Sequence, residues 1–450
     1  MFHYTENSYR CKSLNHVMIF FGTRPEITKL APVIRKIEAS KLKLTLIHSG
    51  QHYDYQMSNI FLEELDLKNI DDNLEVGSGS HGVQTAKMLE SYEKKILHYK
   101  PDIVLAQGDT NSVVAAGIVC AKLNVPFGHV EAGIRSYDMT MPEEINRRLA
   151  GIGAAIHFSP TKQAIVNLYY EGIDPKRIFL TGNTAVDSTL ENSKIALKKS
   201  KIIEKLNLPS DKPLMIVTAH RPANVDEKEP LKQICDALIT LDEFTIVYPV
   251  HPRTVKKLKE FNLENSLKNA EHIYLTEPLG YLDFLLLMQK CALVLTDSGG
   301  LQEEAVTLKK PCVTLRENTE RPETVKLGVN FLVGFNYDKI VTTVRKVVDD
   351  KEIQKKLNTL INPFGDGKAS QRILELIIEH LEKGDLPFKK PSFFAKGSAE
   401  FRLLKIDREI SKTELEQQQK GIITLTYDEK GIPQPIPEKI PKDWSVRILQ

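Results

Sequence analysis

The sequence predicts an α/β protein made of two Rossmann-like, doubly wound domains with a cleft between them, and three observations carry that expectation. From His16 onward, short apolar, β-rich runs alternate with longer amphipathic stretches, the pattern of helices covering both faces of a parallel sheet. The runs fall into two sets separated by a polar, lysine-rich stretch and a proline-centred turn. The length of 450 residues exceeds the ~150-residue domain prior about threefold, so two or three domains are expected.

The first set of strands is Val17–Phe21, Leu44–Ile47, Ile103–Ala106, Pro126–Val130, Ile156–Phe158 and Ile178–Leu180. Polar residues 190–206 then read as one lysine-rich helix, followed by the turn 207–211 around Pro209. The second set is Leu214–Thr218, Thr245–Val250, Ile273–Leu275, Leu293–Thr296, Pro311–Thr314 and Phe331–Val333, closed by a helix over Ala369–Lys383. The expected division is a polar extension over 1–15, one domain over 16–190, a second over 191–384 that includes the linker helix, and an appendage over 385–450. That appendage holds Pro387, Pro391, Pro433, Pro435, Pro437, Pro441 and the single tryptophan, Trp444. Residues 432–437 read as polyproline-like chain and 403–419 as one polar helix.

Composition removes several classes of function. The 61 basic and 59 acidic residues leave a net charge of +2, so no global field favours nucleic acid or a membrane surface. No apolar run approaches the roughly 18 residues that a membrane span needs, and residues 1–15 lack a secretory signal pattern. Five scattered cysteines without a CxxC pair fit a reducing cytoplasm. No histidine, cysteine and acid cluster has metal-ligand spacing, no strand leads into GxGxxG, and Gly365-Asp366-Gly367-Lys368-Ala369 is only half of a P-loop. Neither metal, dinucleotide cofactor nor nucleoside triphosphate is expected.

Ligands of open α/β sheets bind beyond the strand carboxyl ends, so the residues there are the candidates. The densest cluster is Leu295-Thr296-Asp297-Ser298-Gly299-Gly300-Leu301-Gln302-Glu303-Glu304-Ala305, a strand, two glycines and a helix beginning near Leu301. Free backbone amides around Gly299 and Gly300 would cradle phosphate, Ser298 would cap the helix or touch phosphate, and Glu304 would reach a pair of ribose hydroxyls; a plain tight βα turn is the alternative. Arg24 and Lys29, in Phe21-Gly22-Thr23-Arg24-Pro25-Glu26-Ile27-Thr28-Lys29, would face the cleft as anion ligands, with solvated surface charge as the alternative.

Three acids follow strand ends or loops of the first half: Asp109, Glu131 and Glu143. Gathered and partly desolvated, they would have raised pKa values suited to proton transfer. Helix capping or a place in a first helical turn is the alternative for Asp109 and Glu143, and it fits Glu131 least. His220 and His251 each end a strand and would point into the cleft, or serve as hydrogen-bonded structural residues.

Taken in order, Gly22-Thr23-Arg24-Pro25-Glu26, Gly50-Gln51-His52, Gln107-Gly108-Asp109-Thr110, His129-Val130-Glu131-Ala132-Gly133, Pro142-Glu143-Glu144-Ile145-Asn146-Arg147, Thr218-Ala219-His220-Arg221, Thr296-Asp297-Ser298-Gly299-Gly300 and Thr319-Glu320-Arg321-Pro322-Glu323 resemble the non-hydrolysing UDP-N-acetylglucosamine 2-epimerases. The resemblance runs from about His16 to Lys383. It implies the glycosyltransferase-B type of two-domain architecture, a homodimer, and epimerisation at C2 of the sugar through elimination and re-addition of UDP, with no redox cofactor. It assigns acid/base roles to Asp109, Glu131 and Glu143 and an active-site role to His220. It also implies nucleotide contacts from Ser298, Gly299, Gly300, Glu304 and Phe284, and cationic contacts from Arg24, Lys29 and Arg321.

The sequence departs from that family at Ala223, where many members carry glutamate, and at Thr28. After Gln51-His52 the segment through Met57 differs from the members that bind a second, activating UDP-sugar. Tyr53 to Met57 and Ser78 to His81 also resemble the UDP-diacetamido uronate 2-epimerases, while Thr319-Glu320-Arg321-Pro322-Glu323 favours the N-acetylglucosamine enzyme, and a hydrolysing 2-epimerase would share most of the motifs. More distant alternatives are a glycosyltransferase of the same architecture and a UDP-sugar sensor.

Overall fold

A computed structural model describes residues 15–50, 65, 67, 70–388, 401–418, 422–429 and 433–449. The expected polar extension, the segment Gln51 to Met57 and Pro391 lie outside these residues. The first sheet contains β1 (His16–Phe21), β2 (Lys43–His48), β3 (Asp72–Asn73), β4 (Ile103–Gln107), β5 (Phe127–Val130), β6 (Ile156–Ser159) and β7 (Ile178–Leu180). Its strands are parallel in the order β3-β2-β1-β4-β5-β6-β7.

The second sheet contains β8 (Leu214–Thr218), β9 (Thr245–Pro249), β10 (Ile273–Thr276), β11 (Leu293–Thr296), β12 (Cys312–Thr314) and β13 (Asn330–Leu332). It is parallel in the order β10-β9-β8-β11-β12-β13. In both sheets the winding reverses next to the first strand, between β1 and β4 and between β8 and β11. Loops there leave in opposite directions and open a crevice at the strand carboxyl ends.

Burial on both faces explains why the strands read as unbroken apolar runs. Alternate residues of β1 feed two cores: Val17, Ile19 and Phe21 pack under the helix Arg24–Glu38, while Met18 and Phe20 pack under the helices His81–Tyr99 and Asn111–Leu123. Phe20 stacks on Tyr92 with ring centroids 3.8 Å apart, and the Tyr92 hydroxyl, which would otherwise be buried without a partner, lies 2.6 Å from Ser112 Oγ. The first of these cores is continuous with the second sheet through Ile216, Val247 and Val294.

The linker is two helices rather than one. Thr184–Lys199 ends where Ser200 turns extended, and Ile202–Lys205 follows. Asn183 caps the first through Ala185 N at 2.9 Å. Asp187, one turn in, accepts from Ala369 N, Ser370 N and Ser370 Oγ at 3.1, 2.8 and 2.6 Å, and so caps the helix Ala369–Lys383. That helix then packs against Arg24–Glu38, bringing the end of the second unit back onto the first.

The C-terminal appendage is mostly β structure, which corrects the expectation of one helix over 403–419. Strands β14 (Phe401–Lys405), β15 (Ile410–Ser411), β16 (Ile422–Tyr427), β17 (Pro433–Gln434), β18 (Lys439–Ile440) and β19 (Ser445–Leu449) form antiparallel pairs, and only Lys412–Gln418 is helical. Pro433–Gln434 pairs with Thr426–Tyr427 instead of forming free polyproline chain. The reason is a core of its own: Ile406, Ile410, Leu415, Ile423, Ile440, Val446 and Ile448 bury one another. Among the described residues no helix is long and apolar enough to cross a membrane.

One glycine is required by the packing beside the cleft. Gly133, two residues beyond Glu131, has φ +89°, and a Cβ there would lie 2.3 Å from the Ala164 carbonyl oxygen. Gly133→Ala is expected to cost about 2–4 kcal/mol from left-handed strain plus overpacking. The thermal unfolding midpoint should fall by at least about 5 °C, and an unchanged midpoint would contradict this reading.

Candidate active site

The crevice between the two sheets has a volume of about 800 Å³ and is lined from both sides. Arg24, Lys29, Asp109, Glu131 and Glu143 reach it from the first unit, and His220, Phe284, Ser298, Gly299, Gly300, Glu304 and Arg321 from the second. All the candidate site residues except His251 therefore meet in one cavity.

The first wall begins where β1 runs into the helix Arg24–Glu38. Thr23 is the N-cap residue and Pro25 stands in the first turn. Glu26 folds back to accept from Gly22 N at 2.9 Å, Thr23 N at 2.7 Å and Thr110 Oγ1 at 2.6 Å. This clamps the helix start to the loop after β4 and places Lys29 one turn further in. Arg24 donates to the Leu279 carbonyl of the opposite wall at 3.3 Å.

Glu131 sits directly after β5 with φ +67°, a left-handed conformation that is uncommon for a residue other than glycine. Its buried carboxylate takes Lys29 Nζ at 2.6 Å and Gln107 Nε2 on Oε2, and Arg321 of the second wall at 3.4 Å on Oε1. Burial alone would raise its pKa, but Lys29 and Arg321 outweigh that and hold it below the usual carboxylate range. This corrects the expectation of uniformly raised values. Asp109 behaves as expected: burial pushes its carboxyl up despite Arg147 Nη2 at 2.6 Å. Neither Asp109 nor Glu143 is a helix N-cap. Thr110 and Met141 hold those positions, and Glu143 lies in the first turn of Pro142–Gly153.

Glycines dominate the second wall. The helix Gly299–Thr307 starts two residues earlier than expected, with Ser298 as its N-cap residue and no side-chain cap hydrogen bond. The first amides and the positive end of the helix dipole thus face the cavity. Nothing lies within 4 Å of where a Gly300 Cβ would stand, and at Gly299 the nearest atom is Glu320 Oε2 at 3.6 Å. That carboxylate is neutralised from behind by Arg316 at 2.8 and 3.0 Å, which holds its pKa at about 2 against burial. Glu304, near Tyr281 Oη at 3.4 Å, is pushed by burial to about 7, and its Oε2 has no hydrogen-bond partner among the described residues.

His220 lines the cleft, but His251 does not. The His251 Nδ1 accepts from Arg253 N at 3.2 Å and caps the helix Pro252–Glu260, its ring 5.6 Å from that of His220.

Four buried groups escaped the sequence reading because each acts through another residue. Gln107 and Glu303 both serve the ion network: Glu303 accepts from Arg321 Nε and from Asn183 Nδ2, the latter at 2.9 Å. Arg147 bridges Asp109 and Glu144. Asp297 binds the His220 loop. Glu303 carries no local signal that sets it apart from Glu304, because its partners Arg321 and Asn183 come from distant segments.

The sequence matches, over residues 35–378, the family described as UDP-N-acetylglucosamine 2-epimerase. A Methanocaldococcus jannaschii protein named UDP-N-acetylglucosamine 2-epimerase is 48% identical over 363 residues, covering 80% of this chain and 98% of its own. A Pseudomonas aeruginosa UDP-2,3-diacetamido-2,3-dideoxy-D-glucuronate 2-epimerase is 38% identical over 371 residues, covering 80% and 99%. The crystal structure of Methanocaldococcus jannaschii UDP-GlcNAc 2-epimerase in complex with UDP-GlcNAc and UDP shares the fold with a TM-score of 0.73 at 47% identity, over 81% of this chain and 99% of that one. The family match stops before the C-terminal sheet begins at Phe401.

The network around Glu131 makes a test independent of any activity. Lys29→Met leaves a buried carboxylate short of a cation and should cost about 3 kcal/mol in urea unfolding. Lys29→Met with Glu131→Gln should recover most of that loss, and a double variant as unstable as the sum of the singles would refute the coupling.

Proposed function

The chain belongs to the UDP-N-acetylglucosamine 2-epimerase family, and we propose that it interconverts UDP-N-acetylglucosamine and UDP-N-acetylmannosamine without net hydrolysis. The observation that carries this reading is the meeting of two unlike walls in one cavity. One offers a helix N-terminus, open glycines and Glu304, suited to a diphosphate and a ribose; the other offers buried acids of opposed proton affinity. A binding protein would need only the first.

The C2 hydrogen of the sugar is not acidic, because no carbonyl adjoins it. In the proposed reaction a carboxylate takes the C2 proton, the C1–O bond to UDP breaks, and a C1=C2 double bond forms, giving 2-acetamidoglucal. Re-addition forms the C1–O bond again while a proton arrives at C2 from the opposite face. Two groups with separated proton affinities are needed, one ionised and one protonated. Glu131, held ionised by Lys29 and Arg321, fits the acceptor, and Asp109, pushed up by burial, fits the donor. Glu143 and His220 border the same cavity as further proton-transfer groups. Arg24 and Phe284 would hold the nucleotide.

In D2O, proton NMR of the protein with UDP-N-acetylglucosamine should show loss of the C2 proton signal and growth of the manno product. Free N-acetylmannosamine would instead mark a hydrolase, and an inert mixture that turns over only a diacetamido uronate substrate would move the assignment to that sugar. Glu131→Gln should abolish exchange without weakening UDP binding; equal loss of both would make Glu131 structural.

We also propose a homodimer and a cytoplasmic location. Ile145, Leu149 and Ile152 share one face of the helix Pro142–Gly153 and are 36, 45 and 75% exposed, next to exposed Met139 and Tyr137. Such an apolar stripe is covered most simply by a second copy. Light scattering should give twice the chain mass, and Ile152→Asp should shift it towards monomer; a monomeric wild type would refute the proposal. The four described cysteines are all buried and unpaired, as a reducing compartment allows.

A further inference from the structure

His220 and Asp297 leave neighbouring strands at the point where the second sheet reverses its winding. β8 and β11 run in register with Thr218 opposite Thr296, and their hydroxyl oxygens are 2.6 Å apart. The loop after β8 is fixed from two sides. Thr254 Oγ1 donates to the Ala219 carbonyl at 2.7 Å, while His220 N and Arg221 N each donate to Asp297 Oδ2 at 2.8 Å. Asn224 Nδ2 adds a third hydrogen bond to that same oxygen at 3.1 Å. Stapling the loop therefore occupies only one of the two carboxylate oxygens.

The other oxygen has a different neighbour. Asp297 Oδ1 is buried and has no hydrogen-bond partner among the described residues, and His220 Nδ1 stands 3.0 Å from it as the nitrogen placed to supply one. The Asp297 side chain has no solvent exposure, whereas that of His220 is 42% exposed towards the cleft. A buried carboxylate oxygen left without a donor is costly, so the arrangement calls for a proton on Nδ1. Burial alone would raise the pKa of Asp297, but His220 and the loop amides hold it below the usual range, so the carboxylate is ionised at neutral pH.

We propose that Asp297 is a positioning residue that holds His220 in the Nδ1–H form and turns its Nε2 to the sugar nucleotide. The use made of Nε2 rests on the epimerase reading above; the tautomer does not. A histidine whose far nitrogen is tied to a carboxylate keeps one ring orientation and one free nitrogen for proton transfer, the division of labour that gives an acid–histidine pair its effect.

The test is Asp297→Asn. One amide oxygen in place of Oδ2 keeps the three loop hydrogen bonds, but the amide NH2 in place of Oδ1 now faces Nδ1. That nitrogen must then accept, and the proton moves to Nε2. In the full-length chain labelled with 15N-histidine, and with the His220 signals identified by their loss in His220→Gln, the wild type should show a protonated Nδ1 and Asp297→Asn a protonated Nε2. The substitution should lower kcat about 10²–10⁴-fold with KM within about threefold. An unprotonated Nδ1 in the wild type overturns the proposal, as does a variant whose activity and UDP affinity fall by the same factor. Should the wild type leave UDP-N-acetylglucosamine unchanged while the tautomer still switches, the epimerase reading falls and the positioning of His220 by Asp297 stands.

Discussion

The buried carboxylate of Glu131 is the constraint on which the cleft depends. Its backbone is held left-handed, and its oxygens are met by Lys29, Gln107 and Arg321 from three separate segments of the chain. A buried carboxylate without its cations would cost several kcal/mol, so these segments must be in place together. The same demand explains features that look unrelated. Glu26 clamps the start of the helix that carries Lys29, and Glu303 holds the guanidinium of Arg321 from behind while taking a hydrogen bond from Asn183 at the head of the linker. The acidic wall of the cleft and the connection between the two sheets are thereby parts of one ion network.

Repetition of one winding plan puts that network where a ligand can use it. In each sheet the strand order reverses beside the first strand, so two loops diverge at each reversal and the two crevices face each other. The first sheet spends its loops on acids and the second on amides and glycines. Nothing in the parallel-sheet architecture demands that division; the residues just past β4, β5, β8 and β11 impose it.

Much of this was legible from residues alone. Twelve strands were expected and found within one or two residues of their ends, because strands buried on both faces read as uninterrupted apolar runs such as 293–296. The two-residue β3 has too short a pattern to read. The linker helix was misjudged because Ser200, which breaks it, is an ordinary polar residue in a polar stretch, and its extended turn comes with a 2.5 Å hydrogen bond from its hydroxyl to Asp283, far along the chain. In the appendage, lysines and glutamines masked an alternating pattern whose core closes only when Val446 and Ile448 meet Ile406 and Ile410. At the site, Glu131, His220 and the turn 298–300 were legible from their places at strand ends, whereas Phe284 and Arg321 were implied only by the family resemblance. Gln107, Arg147, Asp297 and Glu303 were not legible, since their roles are fixed by partners brought near only by folding.

The pairing of charges in the cleft also bears on how a nearly neutral chain would receive the diphosphate of the proposed substrate. Within the cleft Lys29 and Arg321 are paired with carboxylates, so they add little to any long-range field, in keeping with a net charge of +2. A diphosphate entering at the Gly299–Thr307 helix N-terminus would compete for those same cations. Every share of Lys29 or Arg321 drawn to phosphate is withdrawn from Glu131, which stays buried and therefore gains proton affinity as its compensation weakens. In the proposed reaction the carboxylate would thus be a poor base while paired with both cations and a better one once the leaving group shares them. Binding and proton removal would then be coupled through two cations without any change of fold.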